Sequence, residues 1–362
     1  MSITTNDIDL SEIRRPIILN PTKEADLNRI ISLMKDRNTR VVNCIEHQIR
    51  ELIKIERVGH IPEELRYEEL LHDQLGEDAN KYGNWIFYPW DNTLIHLLAE
   101  DDFVKVRTDR NRDKITVAEQ TKLKEKVIGI IGMSVGRSIA TTAALERVAG
   151  TIRLADFDTL DLSNLNRLKA PLRDLGLKKT VSVAREIAEI DPYLNIECFD
   201  TGFNDENADE FIGTQGVKLD LLVDECDGLE AKIRCREYAK KHRIPVLMET
   251  SDRGMLDVER FDLDPDRPFF HGKLDGIDVS AKSFSKEIKG QVLMRIIDFE
   301  NLSERARISL PEIGKTLTTW PQLASSVVLG GGTVVNVARK LLLGEEVKSG
   351  RYYVDVDQII KE

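Results

Sequence analysis

The sequence predicts an α/β fold, a mostly parallel sheet with helices on both faces, joined to a small α+β N-terminal module. Three observations carry this expectation. From Val117 onward, short apolar runs alternate with helical stretches. The first of these runs, Val127–Ile131, enters a glycine-containing turn and then a helix. Before Thr116 that alternation is absent, and 362 residues are enough for about two domains. We therefore assign residues 1–116 to the module and 117–362 to the α/β domain.

In the module, Val42, Ile45, Ile49, Leu52 and Ile53 follow helical spacing, which predicts a helix over 41–56 with one buried face. A second helix runs from Pro62 to about Leu75 on Leu65, Leu71 and Leu75. Trp85–Trp90, the turn Asp91-Asn92 and Thr93–Leu98 read as strand, turn, strand. Pro89 pushes the first of these strands toward an edge. The aromatic cluster reads as core, and no catalytic constellation stands out here. In the second part, Val127–Ile131 and Thr151–Ala155 are strands, with a helix between them reaching about Val148. Lys179–Ile190 is an amphipathic helix. Strands follow at Asn195–Phe199, Leu219–Val223 and Ile244–Met248, with a helix over Leu229–His242 before the last.

Composition narrows the function classes. The formal net charge is -11, which argues against nucleic acid as a partner because phosphate backbones need a basic footprint. No apolar run reaches the roughly 18 residues of a membrane span. The nearest, Leu323–Ala338, is broken by Ser325, Ser326, Thr333 and Asn336. The N-terminus has neither a basic nor an apolar leader region. The four cysteines, Cys44, Cys198, Cys226 and Cys235, form no C-x-x-C pair, so no structural zinc site of the usual spacing is expected. No membrane association, no disulfide framework and a reducing cytoplasmic setting are the expectations.

The turn Gly132-Met133-Ser134-Val135-Gly136-Arg137 opens a helix after a strand, where unpaired backbone N–H groups point at an anion. It is not a full G-x-G-x-x-G. Asp156 ends the next strand, where an acid accepts hydrogen bonds from ribose hydroxyls. Together they read as a Rossmann-like nucleotide site, and no P-loop motif is present. The alternative for this pair alone is a dinucleotide-dependent oxidoreductase. The turn also spells G-x-S-x-G, the hydrolase nucleophile elbow. That reading needs a later acid and histidine, and only His242 and His271 follow Ser134. Ser134 is therefore read as a small residue in a tight turn.

Asp156-Phe157-Asp158 is followed by Ser163-Asn164-Leu165-Asn166-Arg167. This arrangement resembles the ThiF/MoeB/ubiquitin-activating-enzyme superfamily of adenylating enzymes, with their strand-end Asp and Asn-Leu-x-Arg. A dehydrogenase has no use for Asn164 and Arg167 here. Gly176-Leu177-Lys178-Lys179 resembles the family's Gly-x-x-Lys, and Asp224-Glu225-Cys226-Asp227-Gly228 its D-x-x-D-N. Arg107-Thr108-Asp109-Arg110-Asn111-Arg112 resembles its R-x-x-R segment ahead of the first strand. Met255–Phe261 looks like a further strand and Trp320–Gly344 like the closing helices. The resemblance spans about residues 105–360.

The resemblance implies ATP and Mg²⁺ as cofactors and a carboxylate substrate, which a peptide, a small ubiquitin-like protein's C-terminus or a metabolite would supply. It implies that Gly132, Ser134, Gly136, Asp156, Asp158 and Asn164 hold the nucleotide. Arg167, Lys179 and Asp227 act on the phosphates, Asp227 through the metal. A homodimer is implied, with Arg110 reaching the partner's site as a finger and Arg107 and Arg112 as rivals for that role. The segment from Asp264 to Thr319 is expected to cross the site. The chain also departs from the pattern. Ser134, Val135 and Arg137 stand where the family has glycines, which lets ATP sit slightly differently or lets Arg137 touch it. Gly228 replaces the usual Asn, and no cysteine follows Cys235. Adenylation without a stable enzyme thioester is the expectation, with a non-catalytic nucleotide-binding scaffold as a further alternative. The module resembles a bacterial subgroup often joined to a nitroreductase-like domain, and no such flavin domain is visible in this sequence.

Overall fold

A computed structural model describes residues 12–60, 64–76, 78–281 and 283–361. The chain divides into two compact units, Met1–Val117 with Ala188–Tyr193, and Ala118–Ile187 with Leu194–Glu362.

The first unit holds a four-stranded sheet of β1 (Ile17–Leu19), β2 (Arg40–Asn43), β3 (Asn84–Tyr88) and β4 (Thr93–Leu97), in the order β1-β3-β4-β2. Its helices are α1 (Glu24–Lys35), α2 (Ile45–Glu56), α3 (Glu64–Leu75) and α4 (Glu100–Arg107). The helix expected over 41–56 is in fact two elements. Val41 and Val42 are β-branched and pair in parallel with Leu94 and Ile95. The Asn43 side chain then accepts from the Ile45 N–H and opens α2. β3 is an interior strand rather than an edge, because β1 covers its other side and Pro89 lies beyond its last paired residue. The start expected at Pro62 lies outside the described residues. Trp85 is fully buried and stacks on His96 at 4.1 Å, so this part of the aromatic cluster is core.

The second unit is a Rossmann-like α/β layer structure. Its helices begin with α5 (Val117–Lys124), which starts at the boundary, and α6 (Val135–Glu146). They continue with α7 (Lys179–Ile190), α8 (Ala208–Ile212) and α9 (Leu229–His242). The last four are α10 (Lys286–Ile296), α11 (Glu304–Ser309), α12 (Ala324–Leu343) and α13 (Val356–Ile359). Its strands are β5 (Val127–Ile131), β6 (Thr151–Ala155), β7 (Asn195–Phe199), β8 (Leu221–Asp224), β9 (Val246–Thr250), β10 (Met255–Glu259) and β11 (Gly350–Tyr353). They form a seven-stranded sheet ordered β11-β10-β9-β8-β5-β6-β7. β5 to β9 run parallel, while β10 and β11 are antiparallel.

β5 has the next strand, β6, on one side and β8 on the other, so chain order reverses at β5. Ligands of such sheets bind outside the carboxyl ends of the strands at that switch point. Successive strand residues face opposite sides. Met248 therefore meets α9 and α10 through Ile233 and Val292, while Glu249 faces α12 at Gly330. A side chain at Gly330 would collide with the Glu249 carboxyl, and one at Gly331 with Ser138 of α6. These two glycines let α12 lie close on β9 and α6. By length and composition α12 is long and apolar enough to cross a membrane. Here its Val327, Val334, Val335 and Leu342 are buried in the unit's core. The stretch 320–344 holds this one helix rather than several, because residues 320–323 stay non-helical ahead of it.

Candidate functional site

The glycine turn sits where β5 ends, pressed against the chain leaving β8. Gly132 has φ of +90°, and a Cβ there would lie 2.5 Å from the Glu225 carbonyl oxygen and 2.8 Å from the Cys226 nitrogen. Only glycine meets both demands. Its N–H donates to the Ala155 carbonyl at 2.8 Å, which ties the turn to β6. Gly136 is packed tightly on Ile130, where a Cβ would come within 2.9 Å of Cγ2. Ser134 is the N-cap of α6, and its side chain caps no backbone N–H of the helix.

Asp156 is buried where β6 ends. Its carboxylate accepts from the N–H of Met133 at 2.6 Å and of Asp158 at 2.7 Å. Burial pushes its carboxyl above the usual range, and those two N–H bonds pull it back down. A carboxylate has about four lone-pair directions, so two N–H bonds leave room for a ribose hydroxyl.

The next segment brings the basic groups to the same edge. Asn164 is buried, and its side-chain oxygen accepts from the Asp161 N–H at 3.0 Å. Arg167 is half-buried and donates from Nε to Ser134 Oγ at 3.2 Å. Desolvation pulls its guanidinium below the ordinary value, and the charge of Asp227 opposes that shift. Arg167 thus lies beside both the turn and Asp227. Lys179, at the start of α7, is buried and bonds Asp158 at 2.8 Å. Sequence reasoning did not foresee that Asp158 and Lys179 satisfy each other.

Asp227 is exposed and hydrogen-bonds to no side chain among the described residues. No group of three His, Cys, Asp or Glu ligands occurs among the described residues. Mg²⁺ bound to a nucleotide takes its other ligands from phosphate and water, so one free carboxylate beside a guanidinium fits that ion.

Arg137 does not face this edge. It is buried against α7, pairing with Glu186 at 2.6 Å and donating to Ser182 Oγ at 3.0 Å. The expectation that it touches the nucleotide is corrected: α7 needs a cation at that place. The hydrolase alternative also finds no geometry. Ser134 meets Arg167 instead of a histidine, while His271 pairs with Asp257 and His242 ends α9. Part of the segment expected to cross the site forms α10 and α11, and the chain after them returns to it, where Asn166 Nδ2 donates to the Gln322 carbonyl at 2.8 Å.

The three candidate finger arginines lie in the first unit. Arg107 pairs with Asp191 at 3.7 Å, and Arg112 with Asp109 at 3.2 Å. Arg110 is exposed on the short turn Asp109–Asn111 and pairs with no acid among the described residues.

Two buried ionic groups escaped sequence reading. Asp224 and Arg236 are fully buried and pair at 2.5 Å, with Lys232 3.2 Å from the same carboxylate. These cations hold the Asp224 carboxyl down at about 2 despite burial. Arg236 also pairs with Glu259 at 2.6 Å. The signal was present in α9, where Lys232 and Arg236 stand one turn apart on the face that meets the sheet. The second group is Glu225 with Glu249. The Glu249 N–H donates to Glu225 Oε1 at 3.0 Å, while both Glu249 side-chain oxygens are buried without a partner among the described residues.

Desolvation pushes the Glu249 carboxyl up to about 8. The folded chain therefore holds a proton that the unfolded chain releases near pH 4.5. Stability from this group is full below about pH 4.5 and declines as pH rises toward 8. In Glu249→Gln that decline disappears. Between pH 5 and 8 the melting temperature of the wild type is expected to drop by about 5 °C more than that of the variant, as read by thermal unfolding. Parallel curves would refute the assignment of the proton.

An uncharacterized protein of Mycobacterium tuberculosis is 43% identical over 273 residues, which are 75% of this chain and 38% of that relative. The chain thus spans well under half of that protein's length. The molybdopterin-synthase adenylyltransferase of Haemophilus influenzae is 28% identical over 154 residues, covering 42% of this chain and 61% of that protein. The E. coli tRNA N6-threonylcarbamoyladenosine dehydratase structure aligns with a TM-score of 0.48 and 17% identity, over 68% of this chain and 98% of that one. Residues 108–359 match the ThiF family. The chain belongs to the ThiF family.

Proposed function

We propose that the protein activates a carboxylate with ATP, giving an acyl-adenylate and pyrophosphate. The observation that carries this reading is the meeting of the Gly132 turn, Asp156, Arg167 and Asp227 at one edge of one sheet. Membership of the ThiF family supports it, as does a relative named as an adenylyltransferase.

A carboxylate oxygen attacks the α-phosphorus, and the bond from that phosphorus to the bridging oxygen of pyrophosphate breaks. Such transfers rely on positioning and charge stabilisation more than on covalent help. Asp156 accepts from the ribose hydroxyls. The backbone of the Gly132–Gly136 turn approaches the phosphates at the N-terminus of α6, where Ser134 leaves first-turn N–H groups uncapped. Arg167 offers a fork of donors to the leaving pyrophosphate. Lys179 serves the same charge by sharing its protons between Asp158 and a phosphate oxygen. Asn164 orients a phosphate oxygen through its amide N–H₂. Asp227 holds Mg²⁺, which neutralises phosphate charge when bound. Arg110 of a second copy completes the site in a homodimer, and its lack of an acid partner among the described residues supports that choice over Arg107 and Arg112.

The cysteines support transfer without an enzyme thioester. Burial and Asp224 push the Cys226 thiol up, and burial does the same to Cys235. Neither is a ready thiolate. The acid itself is a peptide, a small ubiquitin-like protein's C-terminus or a metabolite, and a cytoplasmic setting belongs to the same reading.

ATP–pyrophosphate exchange, screened over short peptides and small carboxylic acids, tests the proposal. At least one acid is expected to give exchange that depends on it. ATP binding without exchange or AMP formation for any acid would favour a non-catalytic scaffold. Mixing Arg110→Ala with Arg167→Ala is expected to recover part of the activity, since one site of the mixed dimer is then intact. No recovery from stable mixed dimers would count against a finger acting in trans.

A further inference from the structure

The mechanism leaves the buried acids Glu225 and Glu249 unused. Glu225 lies between the two halves of the site. Its N–H donates to the Ile131 carbonyl at 2.8 Å, and its own carbonyl presses on Gly132. Its Cβ lies near Gly136, 3.8 Å from where a side chain would begin there. Its carboxylate accepts from the Glu249 N–H on β9. Two residues further along the same turn is Asp227. Glu225 therefore touches the end of β5, the start of α6 and the end of β9 at once. Glu249 in turn is wedged against Gly330, which fixes β9 on α12. The charges of Lys232 and Asp224 also act on Glu225, and these two groups bond each other.

We propose that Glu225, clasped to β9 through the Glu249 N–H, is a positioning residue that sets the spacing between the glycine turn and Asp227. The placement rests on the adenylation reading, but the clasp does not. Without the carboxylate, the N–H of Glu249 loses its acceptor, and the 225–228 turn loses its tie to β9, keeping its backbone bonds and those of Cys226 to Asp224. Misplacing a catalytic group by about 1 Å costs rates on the order of a hundredfold.

Glu225→Met and Glu225→Gln separate the roles. Methionine keeps the length of the chain and removes the acceptor, while glutamine restores an acceptor oxygen. Amide hydrogen exchange is measured without ligand over residues 129–136 and 224–228. Exchange in both segments is expected to speed up at least about tenfold in Glu225→Met and to return near wild type in Glu225→Gln. With an accepted acid, kcat of pyrophosphate exchange is expected to fall about tenfold or more in Glu225→Met, with KM for ATP within about threefold, and to recover in Glu225→Gln. Unchanged amide exchange in a folded Glu225→Met would overturn the clasp. So would a Glu225→Gln as loose as Glu225→Met. If Glu225→Met does not fold, Glu225→Ala is read in the same way. If no acid supports exchange in the wild type, the adenylation reading fails, and the amide measurement still decides the clasp.

Discussion

Arg167→Ala and Asp227→Ala are each expected to lower acid-dependent exchange of pyrophosphate into ATP by at least about a hundredfold. Neither should unfold the protein. Asp227 is exposed and Arg167 half-buried, with Ser134 and Asn166 as its side-chain partners. Losses at such positions stay within about 1 kcal/mol. The activity loss has a different origin in each. Without Arg167 the charge growing on pyrophosphate lacks its fork of donors, and Arg167→Lys should recover only a small part because a point charge cannot replace two parallel bonds. On the proposal that Asp227 would hold Mg²⁺, its removal takes away the protein ligand, so the loss should shrink as Mg²⁺ is raised. Both are read by exchange kinetics together with a melting curve. Full exchange in both folded variants would remove the basis for adenylation at this edge.

How far these residues were legible in the sequence depends on how local their causes are. β5, β6 and β7 have the predicted bounds, and β5, buried along its whole length, is the near-continuous apolar run between turn signals that a buried parallel strand shows. The strand β2 reads as helix in the sequence because its partner is distant: Val41 and Val42 are strand through pairing with β4. β8 and β9 each start two residues later than predicted, since Leu219 and Ile244 are buried outside the ladder. The site's backbone logic was visible in Gly132, Gly136 and Asp156, whose roles arise within strand–turn–helix units. What stayed hidden were the partners. Arg137 reads as a residue able to touch the nucleotide until α7 places Glu186 beside it, and Asp224 reads as part of a motif until α9 delivers Arg236. Charges one helix turn apart look solvated in a sequence, and only the packing shows which face they occupy.

The largest loss of stability is expected from Arg236→Leu. Arg236 is fully buried, with Asp224 on one side, Glu259 on the other and the Phe270 ring 3.8 Å from its guanidinium carbon. Removing it strands Glu259 and leaves Asp224 with Lys232 alone. Breaking one buried pair costs about 3–5 kcal/mol, and here Glu259 loses its cation while Asp224 loses one of two. Glu259 has a second task, since its other oxygen accepts from the Phe270 N–H at 2.7 Å. That bond holds Phe270 and His271 at φ of 48° and 61°, a left-handed run that side chains resist. A cost above about 4 kcal/mol at pH 7 is therefore expected, measured by guanidinium unfolding. The pH dependence identifies the cause. In the wild type Asp224 titrates at about 2, below its unfolded value of 3.8, so its stabilisation is present above about pH 4 and is lost as pH falls toward 2. The variant keeps the pull of Lys232 but loses that of Arg236, so the depression shrinks and the gap between the two proteins should narrow on acidification. Adding Glu259→Gln to Arg236→Leu should restore part of the loss, because it removes one stranded charge and keeps an acceptor for the Phe270 N–H. A pH-independent gap that the second substitution does not reduce would mean that lost packing against Phe270, rather than stranded charge, sets the cost.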